Sequence, residues 1–422
     1  MALFLTDLDP RARVKGSRDG LGAQAVWSAT GRPLIGNLTT VTDSLQGFTT
    51  LLVGLRLAEL AASDELDNPT NAFLIWEQMA AYARYKRGHR GFFGLQRIVA
   101  RSAKAGSNGG KVHLSPQPEH QILSNQRTDG LLGNYTAPAR VSGLVAPGSP
   151  ARLTPEAAAF VDTVYLPRLE SGWGRDARYL VRELRRDRVV FDLGVNEKRE
   201  SVANIFNPVM SQLEVDFYRY HLVEGGPGDP TKGRQRKLAA LLEARPSESV
   251  WLSRSYLMAL ADDAESRGWS EVADLLRRVI ACESVLAPAS LLFSYLLGRN
   301  GAHLDEVVAD LRSCWGDHLD SIAPLAIAAL PGQEWPRLAE ALAHGDYYEL
   351  IRTLAERNAT VMRERGAALA WLEVTDQDQL RVRFRDEPAD LPSGDDVPEL
   401  WRYPYFIPSL VSMLTAIGKG EA

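Results

Sequence analysis

The chain lacks the features that define several large classes of protein. Its 422 residues include only two cysteines, Cys282 and Cys314, which excludes a disulfide-rich scaffold and fits a reducing cytoplasm. No basic segment precedes an apolar run at the start, so we expect no signal peptide. Two apolar stretches, 284–298 and 403–418, are too short or too interrupted by proline to cross a membrane. The sequence therefore predicts a cytoplasmic protein with no membrane partner.

Complete catalytic motifs are missing as well. There is no Gly-x-Ser-x-Gly, His-Glu-x-x-His or dinucleotide-binding fingerprint. The segment 226–233 lacks the Gly-Lys-Ser/Thr of a phosphate loop, so we interpret 225–233 as a linker and a domain boundary. His113 and His120 have no nucleophile near them in the sequence. We therefore expect no cofactor and no catalytic residue, and we favour a non-enzymatic protein. An enzyme whose site forms only in three dimensions stays an open alternative.

Two small groups of polar residues resemble parts of a metal site. Cys314 and His318 are four residues apart and could share a helix face, but zinc needs three or four ligands. Asp192 with Glu197 and Lys198 is similar to the carboxylate and lysine set of metal-dependent nucleases. Adjacent residues on a strand point apart, however, so Glu197 and Lys198 would not meet. We predict no metal site from either group.

Acidic residues are absent from 78–118, which contains eight lysines and arginines. Extended to residue 155 the segment carries a net charge of +9, which leaves −14 for the remainder. Clustered basic side chains bind nucleic acid by displacing counterions from phosphates. We therefore predict a nucleic-acid partner, with DNA favoured over RNA. The alternative is a solvated helix and loop that face an acidic protein. The predicted contact residues are Arg84, Lys86, Arg87, Arg90, Arg97, Arg101, Lys104, Arg127 and Arg140.

Residues 124–160 predict a compact arrangement of helix, turn, helix, short hairpin and helix. Ser124 is placed to cap the first helix. Thr136 is placed to cap the second, with Pro138 in its first turn, where a missing N–H is tolerated. Thr154, followed by Pro155, is placed to cap the third. The four turn residues at 147–150 reverse the chain between the second and third helices.

The stretches 139–145 and 153–156 read Ala-Arg-Val-Ser-Gly-Leu-Val and Leu-Thr-Pro-Glu. This part of the chain resembles winged-helix DNA-binding domains, in which the recognition helix ends in Gly-Leu-Val and the wing returns into Leu-Thr-Pro. The resemblance implies that the second helix faces DNA. Because Arg140 is its single long basic side chain, it implies phosphate contact more than base reading.

The overall style of the chain is similar to uncharacterised helical proteins encoded in bacterial phage-defence gene clusters. The stretches that carry this likeness are Gly-Ser-Arg-Asp at 16–19, Asn-Leu-Thr-Thr-Val-Thr at 37–42 and Leu-Leu-Gly-Asn-Tyr at 131–135. The likeness implies a DNA-associated or complex-forming role and brings no catalytic residue with it.

Helical periodicity dominates the rest of the chain. Asp43 is placed to open a buried, leucine-rich helix. Asp346 and Glu349 form the pattern of a capping box, and Gly366 would close the helix that follows. In that helix Asn358 falls on the apolar face, so we interpret it as a hydrogen-bonded core amide.

The C-terminal part predicts different structure. Residues 370–374 and 380–384 alternate like the strands of a hairpin, 386–399 form an acidic loop, and an apolar helix runs from Pro408 to about Ile417. We therefore predict a mainly α, multi-domain helical protein with a winged-helix-like segment and a C-terminal β-hairpin. The predicted regions are 1–77 (helical), 78–170 (basic and winged-helix-like), 171–224 (mixed charge), 234–365 (bundle or repeat-like) and 366–422 (hairpin, acidic loop and final helix).

These observations favour a non-enzymatic nucleic-acid-binding accessory protein, a subunit of a bacterial anti-phage complex with protein partners. The alternative is a helical scaffold or adaptor subunit that assembles proteins without touching nucleic acid. The helical region 234–365 and the apolar C-terminal segment motivate that alternative.

Overall fold

A computed structural model of the chain describes residues 19–62, 69–106, 110–207, 209–246, 252–317, 319, 333–384 and 389–418. Within these ranges the protein is mainly α-helical with two small antiparallel sheets, which confirms the predicted fold class. The first nine helices are α1 Ala23–Gly31, α2 Leu45–Ala61, α3 Pro69–Lys86, α4 Leu95–Gly106, α5 Gln126–Asp129, α6 Leu131–Val141, α7 Pro155–Val164, α8 Leu166–Trp173 and α9 Arg178–Leu184. The next nine are α10 Glu197–Asn204, α11 Gln212–Tyr218, α12 Arg234–Ala244, α13 Arg254–Ser266, α14 Ser270–Leu297, α15 Leu304–Trp315, α16 Glu334–His344, α17 Tyr347–Glu364 and α18 Ile407–Gly418.

The strands form two pairs. β1 Lys111–Leu114 pairs with β2 Val189–Asp192, and β3 Leu372–Val374 pairs with β4 Leu380–Val382. The second pair is the hairpin that the sequence predicts near the C-terminus, and α18 is the predicted final helix.

The chain divides into two compact units, and each is discontinuous in sequence. The first unit comprises Met1–Leu34 and Ala244–Tyr405, and the second comprises Ile35–Glu243 and Phe406–Ala422. The segment 225–233 lies inside the second unit, where the Asp229 carboxylate accepts from the backbone N–H groups of Thr231 and Gly233. The five-part division of the sequence uses other boundaries and stays a prediction.

The core of the second unit is built on α2, which is buried on most sides, as its leucine content predicts. Its N-cap is Ser44 and not the predicted Asp43, because the Ser44 Oγ accepts from the Gly47 N–H at 3.3 Å. α2 packs against α3 at Gly54, where a Cβ atom would lie 2.5 Å from the Trp76 ring. The Trp76 indole N–H donates to the Thr50 carbonyl at 3.0 Å, so the largest side chain of this contact is also satisfied.

The region 124–160 contains helices α5 to α7 and a bridge between Val145 and Leu153. Thr154 caps α7 as predicted, with its hydroxyl accepting from the Ala157 N–H. Two other predicted helix starts are corrected. The first helix has Asn125 as its cap and not Ser124, because the Asn125 side chain accepts from the backbone N–H of Thr128, in the first turn of the helix.

The second correction concerns α6, which begins at Leu131 and not after Thr136. The cause lies outside the segment. The buried carboxylate of Glu77 on α3 accepts from the Leu131 N–H at 2.8 Å and so replaces a local cap. Pro138 consequently lies inside the helix and not in its first turn.

A π-helical turn, Arg219–Val223, follows α11 in the second unit. Such a turn shifts the backbone hydrogen bonds and leaves carbonyl groups that need other partners. Two buried amides supply them. Asn37 donates to the His221 carbonyl at 2.9 Å, and Gln235 donates to the carbonyls of Leu222 and Val223 at 2.9 and 3.1 Å.

The first unit is organised by α14, a helix of 28 residues that continues through Pro288 and packs against α13. Among the described residues it is the one helix long and apolar enough to cross a membrane, and 83% of its most apolar window is buried within the protein. That degree of burial is the pattern of a core helix in a soluble protein.

Asn358 of α17 is a satisfied core amide, as predicted. Its side-chain nitrogen donates to the Gly20 carbonyl at 2.8 Å, and its oxygen accepts from the N–H groups of Trp371 and Leu372. The side chain is fully buried. It therefore ties α17 to the strand β3 and to the segment ahead of α1 within the first unit.

Candidate nucleic-acid interface

One face of α4 carries Arg97, Arg101 and Lys104, which are spaced by four and three residues. The Arg101 guanidinium donates to three successive carbonyls, those of Glu119, His120 and Gln121, at 2.8, 2.5 and 3.0 Å. Arg97 donates to the Gln121 carbonyl and to the Ser124 hydroxyl. These acceptors carry no formal charge, so neither guanidinium is neutralised by them. α4 and the loop 119–124 therefore form one surface of net positive charge, because the three basic residues of α4 outweigh the carboxylate of Glu119.

The pairing of β1 with β2 adds a residue that the sequence analysis missed. Val189 pairs with Leu114, which places the exposed Arg188 beside the end of β1. The same pairing leaves Lys111 and His113 on the exposed side of the sheet. Four arginines lie between 182 and 188 in the sequence. The strand that follows them, β2, pairs with a strand 75 residues earlier, and no local sequence pattern predicts that pairing.

His120 lies between these elements. Its ring is 6.3 Å from that of His113, in an edge-to-face arrangement. Burial lowers the pKa of His120 below its ordinary value. The nearby charge of Glu119 opposes this shift, while those of Arg188 and Arg101 add to it. We call the set comprising Arg97, Arg101, Lys104, His113, His120, Arg127 and Arg188 the basic surface.

Arg127 and Lys86 are exposed, and within the described parts of the chain neither side chain has a hydrogen-bond or ion-pair partner. Arg127 lies on α5, directly after the loop that Arg97 and Arg101 hold. Lys86 is the last residue of α3. Both side chains are available to a ligand without breaking an internal contact.

The other predicted contact residues at the end of α3 have internal roles. Arg87 forms an ion pair with Glu200 at 2.6 Å and also donates to Asn204. Arg90 is exposed and donates to the carbonyls of Tyr85 and His89. Arg84 is 5% exposed and lies in the wall of a cavity. The structure therefore groups Arg97, Arg101, Lys104 and Arg127 on α4 and beside the loop that α4 holds, whereas Arg84, Arg87 and Arg90 make internal contacts.

Arg140, the basic residue of the winged-helix-like segment, lies at the end of α6. Its guanidinium donates to the carbonyls of Ala146 and Gly148 at 3.4 and 2.6 Å. The side chain is exposed and spans from the helix to the short hairpin. Like the guanidinium groups of Arg97 and Arg101, it forms no ion pair with a carboxylate among the described residues.

The nuclease-like group is corrected in one respect. Glu197 and Lys198 begin α10, with Asn196 as the cap, and do not lie on a strand. The Lys198 ammonium lies 4.8 Å from the Trp173 ring, and the Asp192 carboxylate accepts from the Gly194 N–H at 2.7 Å. An asparagine cap ahead of two charged helix formers explains why a helix starts here.

Cys314 is half-buried on α15, and His318 falls outside the described residues. In the part of the chain that the structure describes, no three histidine, cysteine, aspartate or glutamate residues lie close enough to hold a metal ion. Comparison with protein families, curated proteins and solved structures gave no match to this chain.

Proposed function

We propose that the protein is a non-enzymatic nucleic-acid-binding accessory protein, that DNA is its preferred ligand, and that the basic surface makes the contact. One observation carries the proposal: the guanidinium groups of Arg97 and Arg101 are held in place by neutral carbonyls. Among the described residues neither guanidinium forms an ion pair with a carboxylate, so each fixed charge retains its field and loses little side-chain entropy when it meets a phosphate. Arg127 and Arg188 add exposed charges to the same surface.

The likeness to helical proteins of phage-defence clusters supports a place in a bacterial anti-phage complex in the cytoplasm. In that setting the basic surface holds DNA and other faces of the chain bind protein partners. The alternative, a scaffold without nucleic-acid contact, needs no basic surface.

Binding of a labelled 30-base-pair duplex should weaken steeply as salt rises, with a slope of about −0.9 in log K against log salt for each phosphate contacted. The double variant Arg127→Glu and Arg188→Glu should weaken binding at least tenfold and make the slope shallower by about two. Neither residue holds another part of the described structure, so the fold should be unchanged. Fluorescence anisotropy at four salt concentrations measures both quantities.

The matched control is Arg236→Glu with Arg278→Glu, which changes the net charge equally at two exposed arginines outside the basic surface. It should leave the slope within about 0.5 of wild type. Equal losses in the two double variants would mean that net charge alone governs binding. No binding of the wild type at low salt would favour the scaffold alternative.

Affinity for the duplex should also rise as the pH falls below about 6.5, because a protonated His120 adds a positive charge to the surface. Its pKa is held below the ordinary value in the free protein, so little of this gain should appear above pH 6.5. The variant His120→Gln should reduce the rise. A pH profile that is identical in wild type and variant would exclude His120 from the contact.

A further inference from the structure

A cavity of about 340 Å³ lies in the second unit, between the start of α2, the end of α3 and the loop 90–93. This volume is in the range of small-molecule sites. Its apolar wall comes from Val41, Ala81, Phe92, Phe93, Ile122 and Leu131. Its polar side chains include Asp43, Glu77, Arg84 and Tyr135. None of the interactions described for the basic surface involves this cavity wall.

Arg84 is the unusual member of the wall. Its guanidinium lies 5.0 Å from the Phe92 ring centroid and 5.4 Å from that of Phe206, and it donates once, to the Gly91 carbonyl at 3.0 Å. Its Nε atom is buried and has no hydrogen-bond partner. In the described part of the chain no carboxylate forms an ion pair with it.

A buried guanidinium without a counter-ion is costly, because desolvation is offset by neither an ion pair nor a full set of hydrogen bonds. Burial lowers the pKa of Arg84 to about 10, so the group stays protonated at neutral pH. Two aromatic rings and one carbonyl stabilise it only partly. An anion in the cavity would supply both the missing charge and the missing acceptor.

Glu77 does not fill that role. One of its oxygens accepts from the Leu131 N–H and the other from the Gln126 side-chain amide, at 2.8 and 2.7 Å. Its side chain is therefore committed to the start of α6. Burial raises the pKa of Glu77 to about 7, so much of the population is neutral near neutral pH and repels an anion only weakly.

The aromatic residues of the cavity wall favour a ligand with an aromatic ring. The rings of Phe93 and Tyr135 lie edge to face at 6.1 Å, and Phe92 stacks on the guanidinium. Aromatic ligands pack well against such edges and faces. Asp43 lines the same cavity, so a dianion such as a phosphate monoester is disfavoured relative to a single carboxylate.

We propose that this cavity binds a small aromatic monocarboxylate, with the carboxylate on the Arg84 guanidinium and the ring among Phe92, Phe93 and Tyr135. This site is independent of the proposed nucleic-acid contact, and neither one requires the other. The buried Nε lacks a partner and the guanidinium donates to one carbonyl, so this group retains donors for the two oxygens of a carboxylate.

The test uses the full chain and four probes: phenylacetate, benzyl alcohol, benzylamine and phenyl phosphate. Calorimetric titration should show phenylacetate binding at least tenfold tighter than benzyl alcohol, no heat from benzylamine, and weaker binding of phenyl phosphate. The variant Arg84→Met keeps the volume of the side chain and removes the charge. It should remain folded and lose phenylacetate affinity at least tenfold.

Arg90→Met is the matched control, since Arg90 also lines the cavity but is exposed and already donates to two carbonyls. It should change affinity less than threefold. Equal binding of phenylacetate and benzyl alcohol, no binding of phenylacetate at about 10 mM, or unchanged affinity in Arg84→Met would overturn the proposal. Tighter binding of phenyl phosphate would overturn the choice of a carboxylate. If Arg84→Met fails to fold, the order of affinities of the four probes for the wild-type protein tests the proposal.

Discussion

Replacing Glu283 with alanine should lower the free energy of unfolding by about 3 kcal/mol or more at pH 7. Glu283 lies on α14 in the first unit and is 1% exposed. Its carboxylate accepts from the backbone N–H groups of Arg402 and Tyr403 and, at 2.7 Å, from the Tyr405 hydroxyl. Alanine would leave the buried Tyr405 hydroxyl and the two part-buried backbone N–H groups without this acceptor and would open a void beside them. Urea denaturation followed by circular dichroism measures the loss.

Glu283→Gln is the matched control, because it keeps an oxygen for the two backbone N–H groups and offers an N–H to the Tyr405 hydroxyl oxygen. Because glutamine does not ionise, the comparison also isolates the effect of the Glu283 carboxylate charge on stability. Burial raises the pKa of Glu283 to about 7 despite its three donors. The stabilising contribution of the protonated form is complete below the unfolded value of about 4.5 and is lost as the pH rises through about 7.

The stability of wild type relative to Glu283→Gln should therefore fall by roughly 3 kcal/mol between pH 4.5 and pH 8. A difference that does not change with pH would show that the carboxylate ionises at its ordinary value. If Glu283→Ala were as stable as Glu283→Gln, the hydrogen bonds to the 402–405 segment would contribute nothing.

The second large effect is expected at Gln235, which is fully buried in the second unit. Its side-chain nitrogen donates to the Asn37 oxygen at 2.8 Å as well as to the carbonyls of Leu222 and Val223, and its oxygen accepts from the Gly36 N–H. Gln235→Leu is close in volume but leaves all of these groups unpaired. We expect a loss of about 3 kcal/mol in the free energy of unfolding.

Gln96→Leu serves as the control, since Gln96 is exposed on α4 and should change stability by less than about 0.5 kcal/mol. Chemical denaturation of both variants gives the comparison. Hydrogen exchange at the amide of Gly226, which donates to the Tyr220 carbonyl, should accelerate in Gln235→Leu if the π-helical turn loosens. If Gln235→Leu were as stable as wild type, water would be supplying the hydrogen bonds that the Gln235 side-chain amide makes.

Sequence patterns correctly predicted those structural features that depend on residues close together in the chain. Thr154 caps α7 because its hydroxyl reaches an N–H three residues on, and the hairpin of β3 and β4 forms between strands only a few residues apart. Asn358 was identified by its place on an apolar face, since a buried amide must be hydrogen-bonded. These features need no knowledge of distant parts of the chain.

Features that depend on distant contacts were missed. α6 starts at Leu131 because Glu77, 54 residues earlier, accepts from its N–H. Arg188 joins the basic surface because β2 pairs with β1 across the intervening helices. Arg84 looks like any other arginine of a basic segment, and only packing shows that it is buried. Counting charges thus located the basic segment 78–118 but could not distinguish exposed arginines and lysines from buried ones.

The interleaved composition of the two units has a consequence for synthesis on the ribosome. Residues 35–243, which make up most of the second unit, emerge before the main part of the first unit, and α18 emerges after it. The Ser409 hydroxyl of α18 donates to the Thr39 carbonyl, a contact that spans 370 residues. Co-translational folding therefore cannot complete either unit before the chain beyond residue 244 is made. Such long-range closure slows folding, so nascent chains should depend on chaperones more than their modest size suggests.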